Sequence, residues 1–403
     1  MIKSPASTAL VLPGSGTRGA YPIGYLLGLS YMMPEAKLPF DLLVGISAGS
    51  IVCANLASEA DNFNRGILRS MFSSAHMNFN WVLENRGVSN ILTKVGLKNG
   101  DGRERLHGGF LSNLPQKTNI YDLIKYTNIQ KHIDNGSLRG LAISTTHLST
   151  GQNVTFFQGQ DDIKDWRRHR RFGIRQEITS MHILASCAIP GLFSAVEIDG
   201  RYFCDGALRN HAPLSPALHM GARKILTIGS HANRDLEPLP DKEDAPVMSQ
   251  LGSLVLDSIL SDGVNIDKER IQSMNDHLAY VGNSSEYFTQ NQKFQPIEIL
   301  DIRPEFNFSD IAIKYKSLMP MSLQIMFGII GSNTPSTGEL LSYTLFHKNY
   351  LVEVARRGFI DAANDQKQLS DFFELNLNTI QDPADRFQSI LQMLQATKDI
   401  NSL

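Results

Sequence analysis

The sequence predicts an α/β fold with a central, mostly parallel sheet, and three observations lead to it. Two strand–glycine-rich turn–helix units follow one another in the first 58 residues. Short apolar strand candidates then recur as far as residue 229. From there to the end helical periodicity dominates. In the first unit residues 8–12 form a short apolar run, Pro13-Gly14-Ser15-Gly16 breaks it, and residues 20–33 read as a helix. Pro22 stands early in that helix, where a missing N–H costs little. In the second unit residues 40–44 are a strand, Gly45-Ile46-Ser47-Ala48-Gly49 is a sharp turn, and residues 50–58 resume as a helix.

Residues from about 60 to 135 are rich in Asn, Gly and other polar types, with a short helical patch at 120–126. They read as an insertion long enough to cover a site as a lid. Residues 141–146 and 154–157 flank Ser149-Thr150-Gly151 as a hairpin, and residues 196–198 and 202–204 flank Asp199-Gly200 as another. A helix is predicted at 177–187 and a buried strand at 224–229. Asp, Glu and Pro accumulate at 233–246, as in a linker. Beyond it, helices are predicted at 247–261, at 268–279 and from 338 onward, with one strand at 297–302. The expected division is a catalytic domain at 1–235 and a mainly helical region at 236–403.

Composition narrows the function classes. A formal net charge of −2 over 403 residues gives no global field to recruit nucleic acid or an anionic membrane. Three cysteines, Cys53, Cys187 and Cys204, without paired spacing argue against a disulfide framework. No metal-ligand spacing is present, so neither metal nor cofactor is expected. The first residues are too short an apolar stretch for a secretory signal, and no run is long enough to span a bilayer. A cytoplasmic or peripheral-membrane location is expected; a secreted effector reads the same way.

Three segments carry chemistry. In Gly45-x-Ser47-x-Gly49, between strand and helix, the serine must take a strained turn that frees its hydroxyl, and the flanking glycines leave room for neighbouring elements. The helix that follows directs positive partial charge at the site. An ordinary strand–turn–helix with an idle serine is the alternative. Gly14-Ser15-Gly16-Thr17-Arg18-Gly19 has the GxGxxG spacing of a dinucleotide loop, but the second strand lacks the acidic residue at its far end, because Asp41 stands at its beginning. The same turn reads as an oxyanion hole of converging amides, with Arg18 bracing the loop, or as a tight turn without a ligand. A serine nucleophile needs a base. None of the eleven histidines stands in a conspicuous loop after a strand. His182 lies in an apolar helix, and His211 and His219 on a turn and a helix. Asp205-Gly206 follows a strand and offers a carboxylate, although Asp-Gly is also a common turn.

Taken together these segments resemble the patatin-like phospholipases. Gly14 to Gly19 resembles the family's glycine-rich loop, and Gly45 to Gly49 its nucleophile elbow. The run Ala185-Ser186-Cys187-Ala188-Ile189-Pro190 through Val196 to Asp205-Gly206-Ala207 resembles the block carrying its aspartate. Asn210 and Pro213 fall where the family often has Asn and Pro. The resemblance covers about residues 8–230, and Leu341 to Phe346 is similar to the C-terminal extension of some bacterial members. It implies a three-layer α/β/α sandwich and a Ser47–Asp205 dyad without histidine or metal. It also implies cleavage of acyl esters of phospholipids or lysophospholipids through an acyl-enzyme. Two positions depart from the pattern: Ser15 stands for the middle glycine of the loop, and Ala207 for the glycine after Asp-Gly. Transfer of the acyl group to an alcohol on the same dyad is the nearer alternative, and a dinucleotide-dependent oxidoreductase the more distant one.

Two surface features accompany the motifs. Trp166-Arg167-Arg168-His169-Arg170-Arg171, extended by Arg175, is the one basic cluster; it suits anionic headgroups or a phosphorylated ligand, or is a solvated helix face or loop. Residues 318–330 are apolar and Met-rich, and are either core or a lipid-facing surface.

Overall fold

The structure is a computed structural model that describes residues 7–79, 109–111, 123–210, 212–231, 248–260, 263–282, 295–330 and 334–400. Its strands are β1 (Ser7–Leu12), β2 (Leu42–Ile46), β3 (Gly109–Leu111), β4 (Gly140–His147), β5 (Gln152–Gly159) and β6 (Trp166–Arg168). They continue with β7 (Arg171–Arg175), β8 (Gly191–Phe193), β9 (Val196–Ile198), β10 (Arg201–Asp205), β11 (Ala222–Ile228) and β12 (Glu298–Ile302). The main sheet runs β12-β11-β1-β2-β4-β5-β7-β6, and β10 joins it by pairing with β4 and β9. From β12 to β4 every neighbour is parallel; antiparallel pairs begin at β4–β5.

The central strands are apolar on both faces, as strands covered by helices on both sides must be. Leu10, Leu12 and Leu43 point into one hydrophobic layer, and Ala9, Val11, Leu42 and Val44 into the other. The first layer is closed by the helices Ala20–Met32, Phe63–His76 and Lys348–Asn364. The second is closed by Leu214 and Ala217 around the short helix Ser215–His219 and by Ile271 of the helix Gly263–Gly282. A mixed, mostly parallel sheet with helices on both sides and a helical C-terminal part is therefore the observed architecture.

The predicted strands and hairpins fall close to their observed places. Asp199 and Gly200, with φ of 50° and 73°, make the tight turn between β9 and β10. Other boundaries moved for local reasons. The helix predicted at 177–187 is Ser180–Ser186, because the Thr179 side chain and His182 cap its start reciprocally. The basic cluster is neither helix face nor loop: β6 and β7 make it an antiparallel hairpin at the sheet edge. Of the stretch read as a lid, Phe63–His76 is a helix packed into the core. Most of the remainder, and the linker at 233–246, lie outside the described residues. In the Met-rich stretch Met319 and Ile329 are buried, whereas Met321 and Ile325 are exposed.

The C-terminal helix Lys348–Asn364 lies against Ala20–Met32 at backbone contact. A methyl group on Gly24 would stand 1.8 Å from the Ala355 carbonyl oxygen, and one on Gly358 would stand 2.2 Å from that of Tyr21. Tyr21 and Tyr25 donate hydrogen bonds across the same seam to Asp361 and Asp365, at 2.9 and 2.8 Å. Gly24→Ala is expected to lower the thermal midpoint and to destabilise the chain by at least about 1–3 kcal/mol, the usual range for overpacking. Chemical denaturation checks this, and an unchanged midpoint would refute the tight seam.

Candidate active site

The geometry of the candidate site follows from the register of β4. β2 runs parallel to it and ends with Ile46 opposite Ser144. β10 runs antiparallel to it and ends with Asp205 opposite Thr145. Two strand ends arriving from opposite directions thus meet at consecutive residues of one partner, and Ser47 and Asp205 are the residues at the junction. Both are almost fully buried, at 3% and 1% exposure.

Ser47 has φ 52° and ψ −129°, a region nearly closed to residues with a side chain. The turn is held by the Ser47 carbonyl, which accepts from the Ser50 amide at 2.8 Å and the Ser50 hydroxyl at 2.6 Å. The Ser47 amide donates to Ser186 Oγ at 2.9 Å, and Ser186 Oγ donates to the Ser144 carbonyl at 2.7 Å. Both elbow glycines are forced by contact. A Cβ at Gly45 would lie 2.5 Å from Ser50 Cα, and one at Gly49 would lie 2.4 Å from the Leu12 carbonyl oxygen.

Asp205 is fixed through its backbone and through one carboxylate oxygen. Its amide donates to the Ala188 carbonyl at 2.9 Å, and its carbonyl accepts from Thr146 Oγ1 at 2.9 Å. Oδ1 accepts from the Ala207 amide at 2.9 Å. The segment Ser186–Ala188 therefore holds both residues, one through a hydroxyl and the other through a carbonyl. Gly206 is required because a Cβ there would meet the Ser144 carbonyl oxygen at 2.2 Å. Ala207 needs no glycine, since it is the second residue of the short 3₁₀ turn Gly206–Arg209 and is used through its N–H.

Burial pushes the Asp205 carboxyl up to about 7, against the opposing pull of the Ser47 hydroxyl and the Ala207 amide. Ser47 is thus near enough to act on the carboxyl as a hydrogen-bonding neighbour. Oδ2 nevertheless has no partner within ordinary hydrogen-bond distance and angle. Cys187, with its sulfur 3.7 Å from Ser50 Oγ, offers no competing thiolate, because burial and the Asp205 charge push its thiol up to about 12.

The glycine-rich turn lies at the neighbouring strand end, since Leu12 of β1 is in register with Gly45 of β2. Gly14 and Ser15 leave the strand, and Gly16 to Gly19 form a 3₁₀ turn. Gly16 has φ 53°, and a Cβ on it would strike the Tyr343 carbonyl oxygen at 2.6 Å. Ser15 has φ −149°, so a side chain is tolerated there without strain. Its hydroxyl fills the space a Cβ on Gly19 would need, at 2.9 Å, and Ala48 beside Ser47 closes the other side at 3.1 Å.

Arg18 donates to the Ser230 carbonyl just past β11 at 3.3 Å and otherwise reaches the C-terminal part of the chain. It is buried and tied to the C-terminal helix Pro335–Thr344. Its guanidinium donates to Ser342 Oγ, the Tyr343 hydroxyl and Glu339 Oε1 at 2.8, 2.9 and 2.6 Å, and lies 3.7 Å above the Tyr343 ring. Burial opposes its charge, but Tyr343 and Glu339 more than offset this and its pKa is raised. Thr17 Oγ1 adds a hydrogen bond to the Ser342 carbonyl at 2.6 Å. Tyr343 in turn donates to Asp257 Oδ1 at 2.8 Å and meets His231 Nε2 at 2.6 Å. Burial works against ionisation of Asp257, yet His231 and Tyr343 hold its carboxyl down at about 2. Asp257 belongs to the helix Met248–Leu260, whose Leu256 and Ile259 pack on Ile46, Ala207 and Tyr343. A cavity of about 270 Å³ on the outside of this network is lined by Gln250, Leu254, Glu339 and their neighbours, and not by Ser47 or Asp205.

This second set, Tyr343, Glu339, Asp257 and His231, is what sequence reasoning missed. The only signal was the Leu341–Phe346 resemblance. The histidines weighed from sequence stand elsewhere. His182 Nδ1 accepts from the Thr179 amide at 3.0 Å, and burial pushes the ring down to about 4. His219 stacks on Trp166 at 5.1 Å. His211 lies outside the described residues.

Comparisons with known proteins follow from this geometry. The family model described as patatin-like phospholipase matches residues 10–218, which include the glycine-rich turn, the elbow and Asp205. No curated protein sequence matches the chain. Among solved structures, VipD from Legionella pneumophila aligns with 98% of this chain and 81% of its own, at 11% identity and a TM-score of 0.31.

The backbone of Ser47 gives a stability test that is independent of chemistry. Glycine accepts positive φ without penalty, whereas alanine keeps the strain. Ser47→Gly is expected to be more stable than Ser47→Ala by about 1 kcal/mol or more. Urea titration of the two variants checks the difference, and equal midpoints would show the turn to be unstrained.

Proposed function

We propose, on the premise that this chain belongs to the patatin-like phospholipase family and is a lipid acyl hydrolase, that Ser47 and Asp205 are its catalytic pair and that fatty acyl esters of phospholipids or lysophospholipids are its substrates. The single observation that carries this reading is the meeting of β2 and β10 on β4, which puts a strained serine beside a buried carboxylate.

In the proposed reaction Ser47 Oγ attacks the acyl carbonyl and its proton passes to Asp205. The tetrahedral oxyanion is held by amides of the glycine-rich turn at Ser15, Gly16 and Thr17, since the Ser47 amide is already bonded to Ser186. Collapse breaks the ester bond, and Asp205 returns the proton to the leaving alcohol. Water then adds to the acyl-enzyme, giving up its proton to Asp205, and the fatty acid leaves as Ser47 is re-protonated. A carboxylate alone is a weak base toward a serine hydroxyl. Burial that lifts its pKa to about 7 brings it close to the operating range of a general base.

The direction of the pH dependence follows. Asp205 accepts a proton only when ionised, so kcat/KM should rise with pH and level off above about 7. Stability runs the other way. A carboxyl raised in the folded state favours folding at low pH, and that contribution is lost as pH rises through about 7. Asp205→Asn should therefore lose activity yet gain thermal stability over the parent chain on the alkaline side. Product analysis on lysophospholipid with Ser47→Ala and Asp205→Asn tests the pair. Both variants are expected to fall by at least about a thousandfold, and parental turnover in either would refute it.

A further inference from the structure

The basic hairpin, unused by the proposed chemistry, stands on the edge of the sheet that carries the candidate site. β5 runs antiparallel to β4, so its first residues lie beside the end of β4, with Gln152 opposite His147. β7 is in register with that same beginning, and Asn153 pairs with Arg171. The β6–β7 tip therefore projects at the strand ends where Ser47 and Asp205 sit. It lies about 10 Å from β4, since two strand spacings of about 5 Å separate them.

At the tip Arg167, Arg168, His169 and Arg170 are exposed. Among the described residues none of these arginines forms an ion pair with an acid. Arg167 lies over the Phe172 ring at 5.3 Å, and Arg168 donates to the Arg167 carbonyl at 3.2 Å. Arg171 stands opposite Arg168 across the hairpin; both bear electrostatically on His219, and Arg171 also on Asp267. Arg175 belongs to the other end of the hairpin, where it donates to the Gly159 and Gln160 carbonyls at 2.5 and 2.9 Å.

Apolar side chains border the same edge. Leu148, one residue past the end of β4, is 52% exposed, and its amide donates to the carbonyl of Tyr202, which is 40% exposed. Cations beside part-exposed aliphatic and aromatic groups match the two layers of a bilayer surface, phosphate outside and acyl chains beneath.

We infer that this edge docks on an anionic lipid bilayer, with Arg167, Arg168 and Arg170 on the headgroups and Leu148 and Tyr202 in contact with the acyl region. The inference takes its direction from the proposed lipid hydrolysis, because docking there brings the strand ends to the substrate. No helix among the described residues is long and apolar enough to cross a membrane, so the contact is peripheral.

The experiment is co-flotation of the full chain with phosphatidylcholine vesicles, with and without phosphatidylglycerol, at low and high salt. A soluble short-chain ester is assayed in parallel. The parent chain is expected to float with the anionic vesicles only, and salt should weaken the binding. Charge reversal at Arg167, Arg168 and Arg170 (R167E, R168E and R170E together) should weaken it by at least roughly a hundredfold, at about fivefold for each arginine lost, with short-chain ester hydrolysis unchanged. Leu148→Ser with Tyr202→Ser should reduce the salt-resistant fraction. Equal flotation on neutral and anionic vesicles, no flotation on either, or parental flotation of the charge-reversed chain would each overturn the inference. Loss of flotation with intact ester cleavage supports docking. Docking with no ester cleavage by the parent chain would instead count against the proposed chemistry alone.

Discussion

Everything at the candidate site depends on one strand having two partners in succession. β4 outlasts β2 on their shared side, and the place β2 vacates after Ile46 is taken from the opposite direction by β10. No helix, loop or long-range charge is needed to bring residues 47 and 205 together, because the ladder of β4 spaces them. The last residue of the helix Ser180–Ser186 and Ala188 just beyond it secure the join, one bonding to each side. The local cost is plain in the backbone, since Ser47 keeps a φ of 52° only because its neighbours over-determine it.

Around that join the molecule is built by close approach. Gly45, Gly49 and Gly206 each touch backbone that a methyl group would strike, so the motif glycines are spatial requirements as much as conformational ones. Ser15 and Gly19 divide one such space between them. A serine at the first position is tolerated because the second has no side chain, which accounts for the departure from an all-glycine loop.

Local order carried most of the fold. Strand periodicity, Gly-rich turns and the Asp199-Gly200 hairpin are short-range signals, and each was readable from a handful of adjacent residues. The elbow and the Asp-Gly pair were legible for the same reason, although neither motif alone said that the two would touch. Other features were out of reach. Arg18 reads locally as a brace or a positive charge near the loop, yet its partners Glu339, Ser342 and Tyr343 lie more than 320 residues away, where no pattern marks them. The basic cluster was ambiguous because an edge strand of three residues, such as β6, leaves no periodicity to read. The helix predicted from 177 began late because the competing Thr179–His182 cap is a side-chain effect invisible to hydrophobic spacing.

The Arg18 clamp has a consequence for how the protein comes into being. The turn beside the nucleophile candidate leaves the ribosome well before the helix that grips it, Pro335–Thr344, because more than 320 residues separate Arg18 from its partners there. Until the ribosome has delivered that helix, the guanidinium lacks its carboxylate and its aromatic seat, and the turn is without the contacts that fix it. A nascent chain that has not yet reached that helix therefore carries all three family motifs with the turn still unanchored.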